Sequence, residues 1–530
     1  MKKFVLATFV LALVGLTMAA NVPPVRVHPG TISLAQTPQF VCLGSDDNYY
    51  PDGLNWIVKL IQSKTNPTET PVVAGTFDGA PATMSFYPNT DNSEWYDIVD
   101  TTDLNEYGAD SAKKIQASLK EALAHGSEIG SHTKHHMSST ASTFAYWLND
   151  IDSSVKDLKT IGIPTANIVG FRTPFLQYND FTLKALDSLK NFKYDCSIES
   201  GLDDATDGTN FVWPYTLDNG PFSDDTGSLA ETDRDTVFMS DGELDTEAIM
   251  VNIGKHPGLW EAPVYCVIVP PELRHKIWLQ TKDTVDVMLF KHNADGSPAE
   301  DNDGNGIDSL LVKDSVFTVD FDTTTGKITG LDYNMWSAPA NDGVGMDSAE
   351  FVATMKYTLD RHMGGNRAPF CFGMHSNIFY DTSGFIDESA QQYGSMTSPP
   401  RATVTQMRNA LNAFIDYALT KQAVRLISQS NLINWCANPV PLSVPLGVIN
   451  NASSILAKEP VVSFVAGKII IRNLPARVTV CLYNVLGKRI DQISVAGPSL
   501  IWKQSAHAAG TYFLKITAPG LVRTKSIVME

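Results

Sequence analysis

The sequence predicts an α/β fold, a barrel or a sheet, followed by a small β-sandwich. Three observations carry the prediction. Strand patterns and amphipathic-helix patterns alternate over most of the chain, polar residues gather where the strands end, and beyond residue 439 the texture turns to short β-branched and aromatic runs. At 530 residues, with 43% hydrophobic and 18% charged content, there is enough apolar material for one large domain and a smaller one.

The chain opens on MKKFVLATFVLALVGLTMAA: two lysines, an apolar stretch, then small residues at Ala19 and Ala20. That is the pattern of a signal peptide, so residues 1–20 are set aside from the fold and the mature chain is expected to be secreted or at the cell surface. The apolar run is short for a membrane span and no later stretch approaches the needed length, so no transmembrane segment is expected after cleavage. TPQFVCLGSDD reads as a strand ending in polar residues. DSAKKIQASLKEALAHG sets Ala112, Ile115, Leu119 and Leu123 on one helical stripe, with Asp110 as N-cap and Gly126 as stop. SEIGSH is a short strand leading into HTKHH. SSVKDLKTIGI and DFTLKALDSLKNF repeat the helix pattern, the second running into the strand KYDCSI. In a barrel or a sheet of this kind, ligands collect at the carboxyl ends of the strands.

Near residue 439, ANPVPLSVPLG carries three prolines in seven residues, a linker composition. The expected parts are a main domain over 25–438, a linker over 439–454 and a β-sandwich over 455–530. From residue 446 onward ten Lys and Arg face three Asp and Glu, a surplus of +7; with the whole chain at −18, the preceding 445 residues carry −25. A swing of that size marks a boundary. The overall acidity argues against nucleic acid as a partner, because phosphate binding needs basic patches. Residues 292–314 contain DNDGNG, which opens like a calcium loop, yet the twelfth position from Asp301 is Val312 where such a loop wants Glu. An acidic solvent loop is the expectation there. The six cysteines could form disulfides in an exported chain or stay as buried thiols, and the absence of a CxxC pair disfavours a cysteine zinc site.

Candidate chemistry begins at GSDDN. Asp46 and Asp47, at a strand end, can divide labour, one ligating a cation and the other accepting a proton; the plainer alternative is an exposed turn. GTFDGAP at 75–81 competes but offers a single carboxylate, Asp78. His132 and His136 stand at i and i+4, a spacing that in a helical turn clamps one ion and sends His135 elsewhere. Two imidazoles and one carboxylate with open positions suit zinc or another divalent ion. In GFRTPFLQ, Arg172 can pair with a carboxylate and keep it ionised as a base. RAPFCFGMHSNIF is an apolar strand whose first polar outlet is His375.

In the order DD, HTxxH, RTPF and strand-end His, the chain resembles the NodB-like polysaccharide deacetylases, carbohydrate esterase family four, over about residues 38–440. FVWPYTLDNG, GLWEAPV, ITGLDYNMW and NRAPF resemble the chitin-deacetylase-like branch. The tail segments CLYNVLGKRI, GTYFLKI and TKSIV resemble the C-terminal sorting domains of type IX secretion substrates, which implies a secretion machinery as partner. The first resemblance implies an irregular (β/α) barrel holding a divalent metal ion, most often Zn2+, on Asp47, His132 and His136. It implies Asp46 as catalytic base, Arg172 as the group that orients it, and His375 as general acid. The backbone N–H of Phe175 would serve the oxyanion, and Trp213 and Trp260 are candidates for the walls of the sugar groove, with ordinary core as the alternative for either. Two departures stand out: GSDD replaces TFDD, and neither Asp195 nor Asp203 adjoins a Trp, which leaves open the carboxylate that tunes His375.

The resemblance therefore implies an exported hydrolase that removes N-acetyl groups from a polysaccharide such as chitin or its oligomers. An esterase removing O-acetyl groups from xylan would use the same residues. A non-catalytic glycan-binding protein of the same fold would have lost Asp46, a metal ligand or His375, and all are present. No G-x-S-x-G elbow suggests a serine hydrolase.

Overall fold

The computed structural model describes residues 21–443 except 70–71, 93–95, 102–109, 138–141, 203–205, 222–252, 282–283, 291–308, 317–320, 338–342 and 381–400. In the tail it describes 461–465, 468–472, 478–484, 488–495, 499–503, 510–518 and 521–529. The signal stretch 1–20, residues 292–308 of the acidic loop and residues 444–454 of the expected linker lie outside the described residues. The chain divides into two units, Met1–Pro445 and Leu446–Glu530.

The first unit opens with β1 (Gln39–Asp47), α1 (Pro51–Gln62), β2 (Ser85–Pro88), α2 (Ser111–Ala124), β3 (Glu128–Ile129) and α3 (Phe144–Thr160). It continues with β4 (Gly170–Phe171), α4 (Asp180–Leu189), β5 (Tyr194–Asp195), β6 (Glu199–Ser200), β7 (Tyr215–Thr216), β8 (Trp260–Glu261), β9 (Val264–Ile268) and β10 (Lys327–Thr329). Then come α5 (Asp332–Trp336), α6 (Ser348–Gly364), β11 (Phe370–His375), α7 (Val404–Leu419), β12 (Val424–Leu426) and α8 (Gln429–Ala437). The fold is α/β. Its parallel sheet runs β11–β1–β2–β3, with β12 beside the start of β1. A second sheet runs β4–β5–β8–β7 and a third β10–β9–β6. Parallel bridges Ser131–Phe171 and Leu331–Gly373 link the first sheet to the other two.

β1 is buried along its whole length, as a strand covered on both faces must be. Val41 and Leu43 join the larger apolar cluster, whereas Phe40 and Cys42 join a second one. β11 repeats the alternation, with Phe370, Phe372 and Met374 in the larger cluster and Cys371 in the second. The register pairs Cys42 with Cys371, Gly44 with Gly373 and Asp46 with His375, so these three rungs share one face. The middle rung has no side chains because Arg172 lies over it. A Cβ on Gly44 would come 3.3 Å from Arg172 Nη1, and one on Gly373 would come 2.9 Å from it and 2.2 Å from Leu331 Cδ2.

The helices pack as their apolar stripes predict. Ala112, Ile115 and Leu119 of α2 are buried, and Gly126 past its end takes the left-handed φ of +97°. Asp110 does not cap α2. Its φ is 66°, its side chain makes no cap bond, and its carboxylate pairs with Lys113 at 2.6 Å instead. α3 is capped by Thr143, whose hydroxyl accepts from the Tyr146 N–H at 3.3 Å, and α4 by an Asn179–Thr182 capping box. All six cysteines are buried free thiols. Among the described residues no helix is long and apolar enough to cross a membrane.

In the second unit, Val461–Val465, Lys468–Arg472 and Ser499–Lys503 form one antiparallel sheet. Arg489–Val495, Val478–Asn484, Gly510–Ala518 and Leu521–Met529 form another. Ile469 and Ile471 of the first and Val480, Leu482, Leu514 and Ile516 of the second belong to one buried cluster.

The glycine rung makes a direct prediction. Gly373→Ala forces a methyl into Leu331 and Arg172 and should destabilise the first unit by about 1–3 kcal/mol. Thermal unfolding followed by circular dichroism checks this, and an unchanged melting temperature would contradict it.

Candidate active site

The carboxyl ends of the parallel strands bring the sequence candidates together. In a regular strand Asp46 and Asp47 would point to opposite faces. Here Asp47 and Asn48 take left-handed φ values of 59° and 64°, which break the alternation. The Asn48 side chain donates to the Ser45 carbonyl at 2.6 Å and accepts from the Ser45 hydroxyl at 2.7 Å, which holds the turn. Both carboxylates consequently feel His132 and His375.

Asp46, 3% exposed, accepts from Arg172 Nη1 at 3.2 and 3.0 Å through its two oxygens. Arg172 Nε donates to the Cys196 carbonyl at 3.0 Å, and the guanidinium sits 5.1 Å from the centre of the Tyr87 ring. Burial alone pushes the Asp46 carboxyl up, but the charge of the Arg172 guanidinium, with that of His375, overcomes it and holds Asp46 below the usual carboxylate range.

Asp47, His132 and His136 converge. One ligand atom from each lies within 4.8 Å of the others. His132 Nε2 is 3.6 Å and His136 Nε2 3.1 Å from Asp47 Oδ1, and that oxygen is buried with no hydrogen-bond partner. His132 Nδ1 lies 2.9 Å from the Arg172 carbonyl, to which it donates in the tautomer that frees Nε2. Burial lowers both imidazoles to about 4, so at neutral pH their lone pairs are available without loss of a proton. Burial pushes Asp47 up, against the pull of His132 and His375. A buried carboxylate oxygen with no hydrogen donor, facing two neutral imidazoles, fits a small divalent cation.

The histidines do not meet on a helical turn, as their spacing predicts. They lie on a loop in which Thr133 and His136 take φ values of 67° and 50°. The loop is held by Asp150, a buried carboxylate of α3. It accepts from the backbone N–H of Lys134 at 3.1 Å and of His135 at 3.4 Å, and its other oxygen is 2.5 Å from His135 Nδ1. His135 thus faces away from the cluster, as its spacing suggests.

The partner of His375 is Asp332, at the start of α5. One Asp332 oxygen is 2.7 Å from His375 Nδ1, and the other accepts the His375 backbone N–H at 2.8 Å. Burial would depress the imidazole, but Asp332, with Asp47 and Asp46, raises it to about 9. Of the two sequence candidates for this role, Asp195 does not fill it. Asp195 is buried beside Glu261 and accepts from Ser197 Oγ at 2.7 Å, and Asp203 lies outside the described residues. Asp332 was legible only in that a polar residue follows the strand β10, the same signal that marks Asp46 and His375.

Phe175 stands beside the cluster with φ 55° and 36% exposure, its ring 4.6 Å from that of His136. Trp213 and Trp260 do not line a groove. They are 1% and 5% exposed within the second apolar cluster, and Trp213 Nε1 donates to the Asn366 carbonyl at 3.3 Å. The rival carboxylate Asp78 is buried against Arg425 and serves the fold. A second aromatic at the site is Tyr333, whose ring lies 4.0 Å from that of His375.

Residues 65–192 match the family model described as Polysaccharide deacetylase. The matched stretch contains His132, His136 and Arg172, while β1 and β11 supply Asp46, Asp47 and His375 from outside it. Among solved structures, a protein of Mycobacterium smegmatis provisionally assigned as a polysaccharide deacetylase is similar at 12% identity and TM-score 0.36, over 80% of this chain and 98% of that one. The chitin deacetylase of Colletotrichum lindemuthianum is similar at 16% identity and TM-score 0.22, over 46% of this chain and 79% of that one. A family 4 carbohydrate esterase of Streptomyces lividans is similar at 11% identity and TM-score 0.20, over 31% of this chain and 64% of that one. Likenesses at those scores carry no argument about activity. No curated protein matches the chain.

The loop clamp yields a prediction. Asp150→Ala frees two backbone amides and His135, and the affinity for Zn2+ should fall about 10- to 100-fold, as for other groups that orient ligands. Competition against a chromophoric chelator measures it; an unchanged affinity would show that the loop holds its shape without Asp150. Asp47→Ala or His132→Ala should abolish metal retention altogether, as read by elemental analysis of the purified protein.

Proposed function

We propose that this deacetylase domain is a metal-dependent hydrolase that removes N-acetyl groups from a polysaccharide such as chitin or its oligomers. One observation carries the reading. Beside the Asp47, His132 and His136 cluster stand a carboxylate held on Arg172, Asp46, and its register neighbour His375, an imidazole held on Asp332. That is a base and an acid around a cation site.

A divalent cation, Zn2+ by the donor set, would supply Lewis acidity for the acetyl carbonyl and for water when bound to Asp47, His132 and His136. Asp46 accepts the proton of the attacking water, and Arg172 keeps it ionised for that purpose. The backbone N–H of Phe175 donates to the developing oxyanion. His375 then delivers its proton to the departing nitrogen. An amine leaves poorly without a proton, which His375 on Asp332 is placed to give; removal of O-acetyl groups from xylan would use the same residues. A non-catalytic glycan-binding role is disfavoured by the retention of every one of these groups.

The further parts of the proposal concern the whole chain. Residues 1–20 act as a signal peptide, and 25–438 form the deacetylase domain, an irregular (β/α) barrel whose closure the two bridges between sheets support. Residues 439–454 are a linker, and 455–530 form a β-sandwich of the type IX sorting kind, supported by the shared apolar cluster of its two sheets. The product is then secreted or displayed at the cell surface, and the chitin-deacetylase-like branch is the nearest one by motif.

Two predictions test the mechanism. Asp46→Asn should keep its metal yet lose acetate release by at least about 100-fold, measured on N-acetylated chito-oligosaccharides beside acetylated xylan. An active variant would remove Asp46 from the role of base. For pH, His375 is protonated below about 9, so the rate should fall as pH rises through that value. Asp332→Asn removes the charge that raises it, so the alkaline limb should move down toward the ordinary imidazole value of about 6.5. A limb that stays in place in the pH profile of kcat would contradict this acid assignment.

A further inference from the structure

We infer that Glu261, Asp195 and Ser197 form a buried hydrogen-bonded relay that holds the turn carrying the Phe175 amide, which makes them positioning residues for the oxyanion donor. The inference rests on the proposed reaction for what that amide does, and on hydrogen bonds for how the turn is held.

The turn needs a hold. Phe175 and Leu176 follow one another at φ 55° and 53°, a left-handed pair that side chains with a Cβ rarely adopt. Inside the turn the Leu176 N–H donates to the Thr173 carbonyl at 3.3 Å, and the Gln177 N–H to the Pro174 carbonyl at 2.9 Å. Pro174 has no N–H, so the last amide before Phe175 that can be tied down is that of Thr173. It donates to Ser197 Oγ at 2.8 Å.

Which way the Ser197 hydroxyl points is set by Asp195. Ser197 Oγ donates to Asp195 Oδ1 at 2.7 Å and the Ser197 N–H donates to Asp195 Oδ2 at 3.2 Å, which leaves the lone pairs of Oγ for Thr173. Asp195 accepts through both oxygens and is therefore the ionised member of an acid pair. Its partner is Glu261, in register with it on the parallel strands β5 and β8 and bonded to it side chain to side chain. Asp195, Ser197 and Glu261 are all fully buried. Two carboxylates so placed do not both ionise, and a bond between them needs one proton. Glu261 carries it. Its Oε1 accepts the Ile198 N–H at 3.3 Å, whereas Oε2 is buried and accepts from no donor. An ionised oxygen there would be uncompensated; a protonated one has Asp195 to donate to. Burial, with the charge of Asp195 beside it, pushes the Glu261 carboxyl well up in keeping with that assignment. Glu261 and Ser197 thus both donate to Asp195, and Thr173 donates to Ser197.

The test uses the full Zn2+-loaded chain and two readouts. Hydrogen exchange of the Thr173 amide, followed by NMR, reads the hold without turnover. Acetate release from N-acetylated chitopentaose reads its consequence. Ser197→Ala and Asp195→Ala should each speed Thr173 exchange about tenfold and lower kcat about 10- to 100-fold, with KM and metal content within about twofold of the parent. A loss confined to kcat belongs to a group that acts on the transition state, whereas general damage to the fold would take the metal with it. Glu261→Leu should behave like Asp195→Ala, while Glu261→Gln, whose amide keeps a hydrogen for Asp195, should restore both readouts to within about threefold. A Ser197→Ala chain whose Thr173 amide exchanges as in the parent would overturn the relay. So would a Glu261→Gln chain that falls as far as Glu261→Leu, or a loss of rate in step with a loss of metal. Failure of the proposed reaction reads differently: the unsubstituted chain would release no acetate, yet Thr173 exchange would still quicken in the Ser197→Ala and Asp195→Ala chains.

Discussion

The buried contact between Arg172 and Asp46 organises the site. A charge-assisted pair of this kind holds only while both partners stay, since removing one leaves a buried charge worth about 3–5 kcal/mol of instability. The fold spends a whole rung of two strands on it: Gly44 and Gly373, opposite one another, keep side chains out of the space the guanidinium occupies. One rung further along, the same register sets Asp46 beside His375. Base and acid are thus lateral neighbours because two parallel strands are in step, and the base is ionised because the rung below is empty of side chains.

The second constraint is the left-handed turn. Adjacent residues of a strand diverge, yet the chemistry needs Asp46 and Asp47 in one cluster with separate tasks. Positive φ at Asp47 and Asn48 reconciles the two, and the loop carrying the histidines uses the same device at Thr133 and His136, as does Phe175 across from them. Non-glycine residues take such angles at a cost of about 1 kcal/mol each, so their gathering around one cluster reads as strain held for function. Asp150 and Asn48 are the side chains that hold it.

How far the site was legible follows from which signals were local. Asp46, Asp47, His132, His136, Arg172 and His375 each stand where an apolar run ends, and strand ends of a parallel sheet converge. Asp332 obeys the same rule but lies 43 residues before its partner, and it takes long-range contacts such as the Leu331–Gly373 bridge to bring the two strand ends together. The helical reading of HTKHH failed because i and i+4 spacing says nothing about backbone, and Asp150 pulls that loop open. Trp213 and Trp260 misled for a simpler reason: a tryptophan inside an apolar run signals core as strongly as it signals a sugar platform. The α/β class was legible from alternation alone.

The division of labour between two adjacent carboxylates is the claim on which the account turns. A crystal structure of the Zn2+-loaded chain, with anomalous scattering recorded at the zinc edge, tests it most directly. The account predicts one strong peak about 2.0–2.2 Å from a carboxylate oxygen of Asp47 and from Nε2 of His132 and His136, with Asp46 still on Arg172. A zinc ion bound by Asp46, with Arg172 displaced, or no peak among these residues, would contradict it.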